Sequence, residues 1–239
     1  MRVTIPHLQE RARAGEKLVM LTAYDASFAK ISEEAGVDML LIGDSLGMVV
    51  QGHDSTLPVT LDDIEYHVRC VARGSSRALI VADLPWATFQ ESPAVAYRSS
   101  ARIIAAGAQM VKIEGGAAMV ETTRFLVERG VPVCAHIGLT PQSVHTLGGY
   151  RVQGRKEDAA ERLIRDARAL QDAGAAIVLM EAMPAAVARR VTEALEVPTI
   201  GIGAGPDVSG QVLVVYDMLD IYPGRKARFV KNFLEGAPS

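Results

Sequence analysis

The feature that most constrains the fold of this chain is a repeated alternation. Eight apolar runs of five or six residues recur along it: Leu18–Thr22, Met39–Gly43, Leu79–Asp83, Gln109–Ile113, Val131–His136, Ala176–Met180, Pro198–Gly203 and Val212–Tyr216. Helix-like stretches such as "SFAKISEEAG", "LDDIEYHVRCVARG", "SPAVAYRSSARIIAAG" and "EDAAERLIRDARALQDAG" flank most of them, and several end at Gly, as helix C-termini prefer. Near-continuous apolar strands alternating with helices predict a parallel sheet covered by helices. Eight repeats in 239 residues, 49% of them hydrophobic, predict one (β/α)8 TIM barrel domain over 1–239, with a doubly wound open sheet as the competing architecture. Aromatics are only 5%, so aliphatic side chains and Met must fill the core.

An internal echo runs in the same direction. "AAGAQMVKIEGG" parallels "DAGAAIVLMEAM", with Glu114 and Glu181 in the same place, and each is followed by a helix and a "VP" strand. Any helix–Gly–strand joint has some of this character, and the fold expectation does not depend on it.

Four of the runs end in acids: Asp44 after "MLLIG", Asp83 in "LIVAD", Glu114 in "MVKIE" and Glu181 in "AIVLME". Strand side chains alternate faces. That places Asp44 with Leu40 and Ile42, Asp83 with Leu79 and Val81, Glu181 with Ile177 and Leu179, and Lys112 with Glu114. If each face is the inward one, all five groups converge on the C-terminal mouth of the barrel, where such folds place their chemistry. Crowded carboxylates are costly unless one is protonated or a cation joins them, and Lys112 offsets only part of the charge. A hard divalent cation, Mg²⁺ rather than Zn²⁺, suits oxygen ligands without a Cys/His cluster. Asp44 and Asp83 suit direct ligation, Glu114 ligation or contact through water, and Glu181 action on substrate. Each acid alone is more simply a helix N-cap or surface charge; the set of four with an in-strand Lys is not.

Other residues carry less. His136 ends the fifth run and faces the mouth or sits as a satisfied core histidine. Asp25 reads as a helix cap, and His53, His145 and Trp86 fall in loops. "GIGAGP" lacks the dinucleotide-binding fingerprint. Cys70 and Cys134 have no metal-type spacing and read as reduced thiols. The segments Asp44–Thr60 and Ile137–Arg155 are long for βα loops and follow strand C-termini, which marks them as lids or binding segments. A formal charge of -3 gives no reason to expect nucleic acid, and no apolar run approaches the roughly 20 residues of a membrane span. A soluble cytoplasmic protein acting on small molecules is expected.

A divalent cation beside carboxylates and one Lys suits enolisation of a 2-oxo acid, with carbon–carbon bond making or breaking. Residues alone lead no further. The phrases "LTAYDASFAKISEEAGVDMLLIGDSLGMVVQGHDSTLPVTLDDI", "MVKIEGG", "HIGLTPQSVHTLGGYRVQGR" and "GIGAGPDVSGQVLVVYDMLD" resemble the ketopantoate (3-methyl-2-oxobutanoate) hydroxymethyltransferase family through nearly the whole chain. The resemblance implies a barrel of the phosphoenolpyruvate-mutase/isocitrate-lyase type, one Mg²⁺ per subunit, and 5,10-methylenetetrahydrofolate as co-substrate. It further implies hydroxymethyl transfer to 3-methyl-2-oxobutanoate, giving 2-dehydropantoate. By motif, Asp44 and Asp83 would ligate metal, with Glu114 in or beside the shell. Ser45, on the resemblance alone, would bind the substrate carboxylate together with Lys112. His136 would lie against the substrate, and Glu181 would be the catalytic base. The family assembles as homo-oligomers, typically decamers. The departure is C-terminal: the family commonly continues past "ARFVKNF" with another helical segment and an acidic-histidine tail, whereas this sequence stops at "LEGAPS", and "YPGRKARFVKNF" is more basic and Gly/Pro-broken than the family pattern. Two other readings remain open: a metal-dependent carbon–carbon lyase acting on another 2-oxo acid, and a barrel kept only for binding or assembly.

Overall fold

In the computed structural model, which describes residues 2–224 and 226–237, eight parallel strands pair in sequence order and close into a barrel. They are β1 (Leu18–Thr22), β2 (Met39–Ile42), β3 (Leu79–Asp83), β4 (Met110–Glu114), β5 (Val133–Gly138), β6 (Ile177–Glu181), β7 (Thr199–Ile202) and β8 (Gly210–Leu213). The seam joins β8 to β1, with Leu18 opposite Gly210 and Leu21 opposite Leu213. The open-sheet alternative is thereby excluded. The helices are α1 (Ile5–Arg13), α2 (Ala26–Glu34), α3 (Leu46–Val49), α4 (Leu61–Gly74), α5 (Pro93–Ala106), α6 (Val120–Val127), α7 (Val144–Leu147), α8 (Glu157–Asp172), α9 (Ala185–Glu193) and α10 (Val215–Met218). Among the described residues, no helix is long and apolar enough to cross a membrane.

Helix starts follow local chemistry. Asp25 caps α2 by accepting from Phe28 N, as its position suggests, and Thr60 and Asp63 form a reciprocal capping box on α4. Ser92 caps α5 ahead of Pro93, whose missing N–H costs nothing at that position. Strand starts shift for the same kind of reason. Pro132 and Pro198 have no N–H to give the ladder, so β5 and β7 begin just after them. The expected last strand, Val212–Tyr216, is displaced: β8 covers Gly210–Leu213, and Val215 begins α10 with its N–H bonded to Thr22 Oγ1 at 2.9 Å. The two long segments are partly helical, holding α3 and α7 respectively.

Alternation along the strands builds two cores. Leu18, Met20, Met39, Leu41, Leu79, Val81, Met110, Cys134, Ile177, Leu179, Ile200 and Val212 fill the interior, where flexible Met replaces the scarce aromatics. The other parity, such as Leu40, Ile42, Ile80 and Ile113 with Ile64, Val68 and Ile103, packs strands against helices. α1, which the apolar pattern alone did not mark, closes the N-terminal end. Its Leu8 is fully buried in the interior cluster, worth about 1.5–3 kcal/mol. Arg11 of α1 pairs with Asp38 at 2.5 Å, and Asp38 accepts from Val19 N at 2.9 Å, fixing the entry to β2.

The turn into β3 is organised by one carboxylate. Glu33 of α2 accepts from Ser75 Oγ at 2.6 Å, from Ser76 N at 3.0 Å, and from Arg77 N and Ala78 N at 2.8 Å each. Burial opposes its charge, and the donors from Ser75, Ala78, Arg77 and Ser76 outweigh it, lowering the carboxyl from 4.5 to about 2. A depressed carboxyl stabilises the fold fully above its unfolded value and loses that contribution as pH falls through its folded value. Glu33→Gln should therefore cost about 1–2 kcal/mol in urea unfolding at neutral pH, since part of the carboxylate is solvent-screened. The two proteins should converge in stability as pH falls from 4.5 toward about 2; a gap that persists at the acid end would show that the charge is not the cause.

Candidate active site

The C-terminal mouth gathers the side chains at the strand ends. Pairing sets Asp83 of β3 beside Lys112 of β4, Glu114 beside His136 of β5, and Gly138 beside Glu181 of β6. Asp83 and Glu181 point inward with Leu79, Val81, Ile177 and Leu179, as alternation predicts. Asp44 arrives differently. Leu40 and Ile42, expected on its face, pack outward against helices, and β2 ends at Ile42. The chain turns at Gly43–Asp44, so the acid reaches the mouth from the turn, and strand parity was the wrong argument for it. Its N–H donates to Asp83 Oδ2 at 2.9 Å.

Asp44, Asp83, Lys112, Glu114 and His136 are all between 2% and 6% exposed. Lys112 Nζ lies 2.9 Å from Asp83 Oδ1 and 3.8 Å from Glu114 Oε1. His136 Nδ1 has two competing neighbours, Lys112 Nζ at 3.2 Å and Glu114 Oε1 at 3.4 Å, while its Nε2 is 3.3 Å from Glu181 Oε2. Apart from the Lys112–His136 hydrogen bond, these are ion-pair contacts more than aligned hydrogen bonds: Asp83 Oδ1, Glu114 Oε1 and His136 Nε2 are buried with no directed partner. Glu181 stands apart, its side chain 19% exposed. Ser45 Oγ meets Tyr24 Oη at 2.8 Å. His53, His145 and Trp86 are exposed and outside this cluster.

The charges shift one another. Burial, then the Asp83 and Glu114 carboxylates, raise Asp44 well above the usual carboxylate range against the pull of Lys112 and Gln142. Burial works against the Lys112 ammonium, and Asp83, Glu114 and Asp44 outweigh it, so Lys112 stays charged. Burial also opposes the Glu114 anion, and His136 and Lys112 outweigh it, lowering Glu114. For His136, burial and Lys112 oppose the cation, yet Glu114 and Glu181 raise the imidazole from 6.5 to about 9.

Sequence reasoning missed Gln142, in a 3₁₀ turn at Pro141–Ser143. It is buried, its backbone N–H donates to Glu114 Oε2 at 2.9 Å, and its side-chain Nε2 donates to Asp44 Oδ2 at 2.9 Å. The length of its loop was the available signal; a lone Gln has none. Tyr150 of the same loop donates to Met48 Sδ of α3 at 3.7 Å, so the two long loops meet. Gly138 is required at the base of this loop: its φ is 91°, and a Cβ there would lie 2.3 Å from Glu181 O.

Among the described residues, no group of three His, Cys, Asp or Glu side chains is arranged to hold a metal. Lys112 already pairs with Asp83 and lies near Glu114. The chemistry present still suits a hard cation. Asp83 Oδ1 and Glu114 Oε1 are buried acceptors without directed donors, and Mg²⁺ typically takes one or two carboxylates and completes its shell with water or substrate.

The family model described as ketopantoate hydroxymethyltransferase matches residues 2–239. The chain belongs to the ketopantoate hydroxymethyltransferase family. Enzymes of that family named 3-methyl-2-oxobutanoate hydroxymethyltransferase are 64% identical over 238 residues in Azoarcus sp. (strain BH72), covering 99% of this chain and 88% of the relative. In Chromobacterium violaceum the figure is 61% over 239 residues, covering 100% and 91%. The fold is shared more widely. A putative phosphonomutase from Burkholderia cenocepacia J2315 superposes with TM-score 0.70 at 19% identity, covering 91% of this chain and 95% of that one. 2,3-Dimethylmalate lyase, of the PEP mutase/isocitrate lyase superfamily, gives 0.65 at 19% identity, covering 92% and 81%. Both share the (β/α)8 barrel fold of this chain.

A raised imidazole is charged, and stabilises, below its unfolded value; the contribution fades as pH rises through the folded one. In metal-free protein the His136 ring should titrate near about 9 by NMR, and Glu114→Gln should lower that midpoint. A midpoint at or below 6.5 would show that the carboxylates do not hold the ring's proton.

Proposed function

We propose that the chain transfers a hydroxymethyl group from 5,10-methylenetetrahydrofolate to 3-methyl-2-oxobutanoate, giving 2-dehydropantoate for pantothenate biosynthesis, with one Mg²⁺ per subunit. The observation that carries the mechanism is the two depths at which the acids sit. Asp44, Asp83 and Glu114 are buried with Lys112, whereas the Glu181 side chain reaches the open mouth. In this reading Asp44 and Asp83 hold the cation, with Glu114 in or beside its shell. The cation supplies electron withdrawal from the 2-oxo group, which acidifies the neighbouring C3–H.

The rest falls to the chain's own side chains. Lys112, its charge anchored by Asp83 at 2.9 Å, and Ser45, held by Tyr24, bind the substrate carboxylate. His136 lies against the substrate and, charged, steadies the Glu181 carboxylate from 3.3 Å. Glu181 takes the C3 proton. Water adds to the folate methylene and its two C–N bonds break, releasing tetrahydrofolate and leaving that carbon as formaldehyde; the electron-rich C3 attacks it to form the new C–C bond, and the proton held by Glu181 passes to the resulting alkoxide to give the hydroxymethyl group. The loops carrying Met48 and Tyr150 bound the entrance over these groups.

Cytoplasmic location, a single domain over 1–239, and homo-oligomeric assembly, a decamer by resemblance, belong to the same reading. Exposed Phe229, Phe233 and Leu234 support the assembly. The lyase alternative is less favoured: lyases of the isocitrate-lyase kind usually carry a reactive Cys in a mobile loop, and neither thiol here is so placed. Cys70 is on α4, and Cys134 is inside the barrel with its thiol pushed up to about 12 by burial.

With 3-methyl-2-oxobutanoate and Mg²⁺ in D₂O, the protein should exchange the substrate's C3 proton without folate. Product should form only when methylenetetrahydrofolate is added, and EDTA should stop both. Glu181→Gln should lower exchange about 10²- to 10⁴-fold. Full exchange in this variant would remove Glu181 as the base, and product formation without folate would favour the lyase.

A further inference from the structure

We propose that Gln142 is a positioning residue: its carboxamide holds the Asp44 carboxylate in place for the cation and so ties the loop after β5 to cation affinity. The inference rests on the reading of Asp44 and Glu114 as cation ligands.

Gln142 bridges segments far apart in sequence. Its Nε2 donates to Asp44 Oδ2 and to Leu84 O, both at 2.9 Å, joining the turn after β2 to the residue after β3. Its backbone N–H adds Glu114 at the end of β4, again at 2.9 Å. Three strand ends that carry the candidate cation ligands are therefore fastened to one residue of the β5 loop. The amide is oriented as well as placed. Gln90 Nε2 donates to Gln142 Oε1 at 2.9 Å, so Oε1 is the acceptor and the NH₂ group must face Asp44 and Leu84. Both side-chain N–H bonds and the oxygen are thus used, and a flipped amide would set oxygen against the Asp44 carboxylate.

A buried amide this fully engaged limits what Asp44 can do. With Oδ2 held by Gln142, rotation of the carboxylate away from Asp83 would break that hydrogen bond inside a buried cluster, where lost partners are expensive. Groups that orient a ligating carboxylate in this way typically alter metal affinity by about 10- to 100-fold when removed. The backbone bond to Glu114 does not involve the side chain, so Gln142→Ala removes the contacts to Asp44, Leu84 and Gln90 and keeps that one. Gln90 is exposed and acts only through the amide, which makes it a second handle without opening a cavity.

The test is Mn²⁺ titration by calorimetry on the full chain without substrate, accompanied by the unfolding midpoint in EDTA. Gln142→Ala should weaken Mn²⁺ binding about 10- to 100-fold. Gln90→Ala should weaken it in the same direction by a smaller factor, with the EDTA midpoint of Gln90→Ala unchanged. If the parent protein binds Mn²⁺ and Gln142→Ala binds it within about twofold, the inference is overturned while the cation reading stands. If the parent protein binds no Mn²⁺ at millimolar metal, the cation reading fails and takes the inference with it. Should Gln142→Ala not fold, Gln90→Ala decides alone, and unchanged affinity there overturns the proposal.

Discussion

The ammonium of Lys112 sits in a nearly dry chamber with three carboxylates, and the mouth of the barrel is organised around that imbalance. One fixed cation does not neutralise Asp44, Asp83 and Glu114, and it is paired most closely with Asp83 at 2.9 Å. The remainder of the charge is managed by shifting protons. Asp44 is driven toward its neutral form, and His136 is drawn toward its charged one. A small cation that entered would take over the work of those protons. The fold tolerates this chamber because backbone pairing, made without the acid side chains, sets Asp83, Glu114 and Glu181 at the strand ends, and the turn after β2 adds Asp44.

Much of this was legible in the sequence, and the parts that were not failed for identifiable reasons. The alternation of apolar runs and helices specified the closed barrel, and inward parity for Asp83 and Glu181 followed from a period of two. Strand parity does not bring Asp44 to the mouth. Leu40 and Ile42 face the helices, and a turn that begins after Ile42 delivers the acid. Periodicity stops being informative where a strand stops. The same limit displaced the last strand, whose "VLVVY" run divides between β8 and α10 once Thr22 captures the N–H of Val215. α1 went unmarked because its one fully buried apolar contact, Leu8, carries little periodic signal.

Gln142 illustrates a different limit. Its partners are 98, 58, 52 and 28 residues away, and no local pattern announces such a convergence. The resemblance to a family points to the acids and the lysine as candidates, but a neutral amide that bridges them is visible only in three dimensions. The family match and the barrel geometry thus answer separate questions, one about which reaction and the other about how the parts are held.

The helix beneath the barrel has a consequence for traffic. Leu8 fills the lower end, and the interior above it is occupied by Met20, Met39 and Met110, so the chamber is a blind well. Small molecules share one doorway. Were two ligands to share the well, the one against Lys112 and His136 would lie beneath the other and be shut in by it.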